Sequence, residues 1–105
     1  MIPPGTLDVL ILKTLAVRTP LHGFEIAEAI RSVTEDVLRV EEGSLYPALH
    51  RLQVQGWLAA EWGKTAENHR ARYYKLTAAG KRQLKKEMDA YQEVARAIGR
   101  VLAQA

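Results

Sequence analysis

The side chains able to do chemistry in this chain are three histidines (His22, His50, His69), four tyrosines and a bunched set of arginines and lysines. No histidine stands at metal-ligand spacing from another or from a carboxylate pair, and the chain has no cysteine. A thiolate metal site, a cysteine nucleophile and a disulfide framework are all excluded. No Gly-rich phosphate loop and no nucleophile elbow occurs. No catalytic residue, metal or cofactor is expected, and the chain is not read as an enzyme. The basic side chains carry more. Residues 43–86 hold nine basic groups against two acidic, a net of +7, between flanks of −3 (1–42) and −1 (87–105). A basic middle between acidic ends is the footprint of a polyanion-binding face. The same excess serves equally as a solvated face, so the elements that carry it must decide.

At 105 residues the chain has room for one compact domain, and 48% hydrophobic with 26% charged residues suffices to build a core. No apolar run approaches a membrane span, and Met1-Ile2-Pro3-Pro4-Gly5 has neither the basic region nor the apolar stretch of a secretory signal. With no cysteine, a reducing cytoplasm is the expected compartment.

Nothing repeats and no linker splits the chain. A first helix is expected over about 6–18, capped by Thr6 with Asp8 in its first turn. Its apolar residues, among them Leu7, Leu10 and Ile11, cover nearly the whole circumference, which calls for burial on two sides and hence a second subunit. After Thr19-Pro20-Leu21 a second helix is expected from His22 to Val33, with Phe24, Ile26, Ala27 and Ile30 inward. Val37–Val40 reads as a short β-prone stretch. Ser44 is the expected N-cap of a third helix ending at Gly56, with Leu45, Leu49 and Leu52 as its buried stripe and Pro47 tolerable in its first turn. Trp57–Trp62 and Arg70–Leu76 read as a hairpin with a polar tip over 63–69. Thr77 caps a last helix from about Ala78 to Gln104. Leu84, Met88, Tyr91, Ala95, Ile98 and Leu102 follow heptad spacing along it, widened by Val94 and Val101. Such a helix, roughly 40 Å long, exceeds what a domain of this size can cover and needs a partner.

Three helices followed by a basic-tipped hairpin is the order of a winged helix-turn-helix: mainly α with a small β-hairpin, plus a long C-terminal dimerisation helix. In that arrangement the third helix enters the major groove and the hairpin tip, the wing, lies on the backbone or in the minor groove. The basic segment falls on the third helix, the wing and the start of the last helix. Residues 1–76 form the expected DNA-binding domain and 77–105 the dimerisation helix, within one compact unit.

The sequence resembles the PadR-type bacterial transcriptional regulators. The resemblance rests on Gly5–Leu12, His22-Gly23-Phe24-Glu25-Ile26, Gly43–Leu52, Gly56-Trp57-Leu58 and Arg72–Gly80, in the family's order and spacing across nearly the whole chain. Residues 60–72 look closest to the subfamily labelled acidobacterial-type. The resemblance implies a homodimeric repressor on an inverted-repeat DNA operator, joined through its first and last helices. A single C-terminal helix places the chain among the short members. Some of those bind flat aromatic drugs on tryptophans of the last helix. Here Trp57 and Trp62 lie on the wing strand and the last helix offers only Tyr91, so no drug site is carried over.

Ser44, Tyr46, Pro47, His50 and Arg51 are the expected DNA contacts on the third helix. Free N–H groups at its start favour a phosphate, and the Arg51 fork suits guanine. The alternatives are that Ser44 only caps, Tyr46 only packs and Arg51 is a solvated charge. On the wing, Lys64, Asn68, His69, Arg70 and Arg72 are expected at phosphates, setting affinity more than sequence choice. Alternation does not say which of Arg70 and Arg72 points outward. Lys81, Arg82, Lys85 and Lys86 are read as a solvated face, and His22 as a helix-start residue. The expected dimer contacts are Leu7, Leu10, Ile11, Leu84, Met88, Tyr91, Ala95, Ile98 and Leu102. Release from DNA is expected from whatever alters that seam; whether a small-molecule effector does so is not written in the sequence. The competing class is a winged helix that binds proteins and no operator.

Overall fold

The structure, a computed structural model, describes residues 2–3 and 5–105; Met1 and Pro4 of the N-terminal stretch lie outside the described residues. The chain runs α1 (Leu7–Val17), β1 (Leu21–His22), α2 (Gly23–Val33), α3 (Glu42–Val54), β2 (Leu58–Lys64), β3 (Arg70–Leu76) and α4 (Ala78–Leu102). One antiparallel sheet has the order β1-β3-β2. The core gathers Ile11, Leu12 and Leu15 of α1, Ile26 and Ile30 of α2, and the stripe Leu45, Ala48, Leu49 and Leu52 of α3. Leu58, Tyr74 and Leu84 close it from the hairpin and from α4. Burial pushes the Tyr74 hydroxyl up from its ordinary value.

Helix boundaries depart from the sequence expectation in ways that backbone chemistry explains. Thr6 does precede α1, but its own backbone is already helical and its hydroxyl donates to the Pro3 carbonyl at 2.7 Å, so it caps nothing. α3 opens two residues ahead of Ser44, because the Glu41 carbonyl accepts from both Ser44 N–H and Leu45 N–H. Glu41 is therefore the N-cap, Ser44 lies inside the first turn, and Pro47 sits in the second turn, not the first. Gly56 terminates α3 two residues past its last helical residue, Val54. At φ +81° it lets Trp57 N–H reach back to Leu52 and its own N–H to Gln53, a Schellman closure. α4 stops at Leu102.

β1 was not expected. Leu21 and His22 pair with Tyr74 and Tyr73, and they fill the free edge of β3. The expected β stretch at Val37–Val40 forms no strand. Instead Glu35 and Asp36 take positive φ (50° and 68°) in a tight turn, and the Thr34 hydroxyl accepts from Leu38 N–H at 3.0 Å. Leu38 and Val40 still pack against the core as loop residues. Phe24, expected inward, is 66% exposed.

α4 begins inside the body and leaves it. Its cap, Thr77, accepts from Gly80 N–H at 3.0 Å and donates to the Gly56 carbonyl at 2.7 Å. Gly80 is held against Trp57: a Cβ there would come within 2.2 Å of the Trp57 carbonyl oxygen. Leu84 is buried and Met88 half-buried, whereas every residue from Asp89 onward is exposed. The molecule accordingly measures 56 × 29 × 22 Å, its long axis exceeding the roughly 37 Å of a 25-residue helix.

Candidate nucleic-acid interface

The buried stripe of α3 fixes what the helix presents outward. At 3.6 residues per turn, the side opposite Leu45, Ala48, Leu49 and Leu52 carries Gly43, Pro47, His50 and Val54, all exposed. Tyr46 and Gln53 flank this face on the wing side. Ser44 and Arg51 flank it on the side toward α1. Pro47 and His50 thus stand at the centre of the face, Ser44, Tyr46 and Arg51 at its margins. Gly43 and Val54 belong to the same face and were not among the expected contacts; the helical spacing of the buried leucines was the signal for both.

Arg51 is engaged. Its guanidinium forks onto the Asp8 carboxylate of α1 at 2.6 and 2.9 Å, and that hydrogen-bonded pairing holds it above its ordinary pKa. The start of α3 is also less hospitable to a phosphate than expected, because Glu41 and Glu42 occupy its N-cap and first position.

Tyr46 leans across the start of α2. A Cβ on Gly23 would meet the Tyr46 ring at 2.8 Å, so only glycine leaves room for that side chain. The neighbouring His22 closes a capping box with Glu25: His22 N–H donates to Glu25 Oε1 at 3.0 Å, and Glu25 N–H donates to His22 Nδ1 at 3.4 Å. His22 starts the helix, as read from the sequence.

The wing tip is a three-residue loop. Asn68 N–H donates to the Thr65 carbonyl and Thr65 N–H to the His69 carbonyl, with Asn68 at φ +65° in the left-handed position that asparagine tolerates. Lys64, Asn68, His69 and Arg70 are exposed at or beside this tip. Alternation resolves the wing arginines differently from the sequence expectation. Trp62 pairs with Arg72 and Lys64 with Arg70 across the strands, so Arg70 and Arg72 share one face with Trp62. Both guanidinium groups lie over the Trp62 ring, at 4.2 and 5.4 Å from its centroid, and Arg72 also reaches Gln53 of α3 at 3.4 Å.

Of the expected dimer contacts, two are committed to the chain's own core. Ile11 is 0% and Leu84 7% exposed within the single chain, which removes them from any seam. Leu7, Leu10 and Met88 are half-buried, and Tyr91, Ala95, Ile98 and Leu102 stand free on α4 together with Val94 and Val101. No group of acidic, histidine or cysteine side chains able to hold a metal ion occurs among the described residues. No helix among them is long and apolar enough to cross a membrane.

Three core helices, a three-stranded sheet with an extended hairpin and a protruding last helix define a winged helix-turn-helix. The chain belongs to the PadR-like family of transcriptional regulators, whose sequence pattern matches residues 11–86. It is similar to a transcriptional regulator from Clostridium thermocellum, with 27% identity and a TM-score of 0.82 over 91% of this chain and 92% of the other. It is also similar to a PadR family regulator from Eggerthella lenta, with 30% identity and a TM-score of 0.77 over 96% of this chain and 85% of the other. The PadR of Bacillus subtilis, solved in complex with operator DNA, shares the fold at 22% identity and a TM-score of 0.69, over 79% of this chain and 47% of that one. Members of this family regulate transcription, so the chain is a transcriptional regulator and not an enzyme.

Proposed function

We propose that the chain acts in the cytoplasm as a homodimeric repressor that binds an inverted-repeat operator in double-stranded DNA. The observation that carries this reading is the bare face of α3, centred on Pro47 and His50, set beside a wing whose arginines have no carboxylate partner among the described residues. The operator complex of the Bacillus subtilis neighbour supports it by analogy of fold.

In this reading α3 lies in the major groove with Ser44, Tyr46, Pro47 and His50 toward the bases. Lys64, Asn68, His69, Arg70 and Arg72 meet the backbone, and no step needs a cofactor. Arg51 reaches DNA only by exchanging Asp8 for it. Residues 77–105 supply the dimer seam, from Met88 through Tyr91, Ala95, Ile98 and Leu102, against Leu7 and Leu10 of α1. Two α3 helices then enter successive major grooves about 34–36 Å apart, and repression follows by occlusion. An effector that alters the seam would change that spacing and release the DNA.

Selection of bound duplexes from a random pool tests this reading. Two inverted half-sites about 10 base pairs apart, centre to centre, are expected. Recovered duplexes with no common sequence would overturn it, and absent or salt-insensitive duplex binding would favour a protein partner in DNA's place.

A further inference from the structure

Between the inner face of the wing and the flank of α3 runs a cleft of about 460 Å³, lined by His22, Phe24, Tyr46, Trp62, Arg70 and Arg72. Two cations without a carboxylate partner among the described residues, Arg70 and Arg72, stand side by side in it. Arg72 is half-buried, and among the described residues its Nε is shut off from solvent without a hydrogen-bond partner and its one polar contact is the neutral Gln53 amide. A guanidinium with one N–H buried and unpartnered, and no carboxylate beside it, is poised for an anion.

We infer that this cleft seats one phosphate of the DNA backbone, held by Arg72 with Arg70 beside it, and that Trp62 is the positioning residue for both. The inference rests on the DNA-binding reading above. The geometry favours a backbone phosphate because α3's outward face and the wing tip stand on either side of the cleft. A duplex that touches both must pass a strand across it. The strand's charge then meets Arg72 at the floor, while Phe24 and Tyr46, 66% and 48% exposed, give its sugars an apolar wall. The Trp62 ring, itself 58% exposed, holds both guanidinium planes by cation–π contact, so less side-chain freedom is lost when the phosphate arrives. Lys75, on the opposite face of β3, has the same charge and lies outside the cleft.

The experiment measures affinity for a selected duplex across a salt series for the wild type, Arg72→Gln, Trp62→Leu, Trp62→Phe and Lys75→Gln. Each protein's thermal midpoint is recorded alongside to show that it is folded. Arg72→Gln is expected to lower affinity about tenfold and to reduce the slope of log K against log salt by about one. Trp62→Leu is expected to weaken binding about three- to tenfold with the slope nearly kept, since both charges remain; Trp62→Phe is expected to restore most of the loss. Lys75→Gln is expected to stay within about twofold of the wild type, with its slope kept. A folded Arg72→Gln protein with wild-type affinity and slope would overturn the phosphate seat. Wild-type behaviour of Trp62→Leu would overturn the role of Trp62. Loss from Lys75→Gln equal to that from Arg72→Gln would reduce the effect to unlocalised charge. If the wild type itself bound no duplex, the DNA reading would fall and this inference with it.

Discussion

Arg51 on α3 and Asp8 on α1, 43 residues apart in sequence, meet in a two-point ion pair at 2.6 and 2.9 Å. The pair ties the helix proposed to read DNA to the helix that packs most closely with α4, the arm of the proposed dimer. Arg51 is 53% exposed, so the pair itself adds little to stability, on the order of 0.2–1 kcal/mol. Its consequence is competition: Asp8 occupies the fork that a phosphate or a guanine would need. Asp8→Asn should therefore tighten duplex binding severalfold and steepen the salt slope by about one unit. Unchanged binding in Asp8→Asn, measured by anisotropy, would mean that Arg51 is only a strut between α1 and α3.

Gly23 has its side-chain space filled by Tyr46. Gly23→Ala should displace the ring from the start of α2, lower the thermal midpoint modestly, and weaken operator binding more than binding to a scrambled duplex. Equal losses on the two duplexes would show that Tyr46 has no part in choosing sequence. The comparison with Tyr46→Phe isolates the hydroxyl from the packing.

Gly80 is the point where α4 enters the body. With the Trp57 carbonyl 2.2 Å from where a Cβ would stand, Gly80→Ala must push α4 off the hairpin or distort both. A loss of about 1–3 kcal/mol in chemical denaturation is expected, as for overpacked cores. Gly99, with nothing within 4 Å of its Cβ position, is the control, and Gly99→Ala should be neutral or slightly stabilising in its helix.

The seam can be separated from the core by position. Tyr91→Asp with Ile98→Asp alters two side chains that are each 53% exposed in the single chain, so a folded monomer is expected in sedimentation. Leu84→Asp places a charge in the core and is expected to unfold the chain. A Tyr91, Ile98 double variant that remains dimeric would contradict the proposed interface.

Much of this fold was legible from the sequence because local chemistry and packing agree. The Thr77 cap, the Gly56 stop and the +4, +3 recurrence of Leu45, Leu49 and Leu52 all act where they were expected. Other features depended on partners distant in sequence. A two-residue β1 carries almost no periodicity, and it exists because β3 has a free edge. Val37–Val40 has strand-forming residues, but the turn at Glu35 and Asp36 and the packing of Leu38 and Val40 on the core hold it as a loop. Ile11 and Leu84 fit an interface by spacing alone, and only the packed core shows that they are already covered. At the site, Pro47 and His50 could be placed from the helical stripe. The engagement of Arg51 could not, since no local pattern links it to Asp8. The shared face of Arg70 and Arg72 was within reach, since residues two apart on a strand point the same way; that Trp62 joins them depends on the register of the hairpin.

The central claim is that α3 and the wing together form a face for duplex DNA with a sequence preference. Fluorescence anisotropy tests it most directly, titrating the protein against duplex from its own upstream region and against a scrambled duplex at several salt concentrations. The account predicts tighter binding to the upstream duplex and an affinity that falls steeply as salt rises, with one released counterion set for each neutralised phosphate. Absent binding, or equal binding to both duplexes that does not respond to salt, would contradict it.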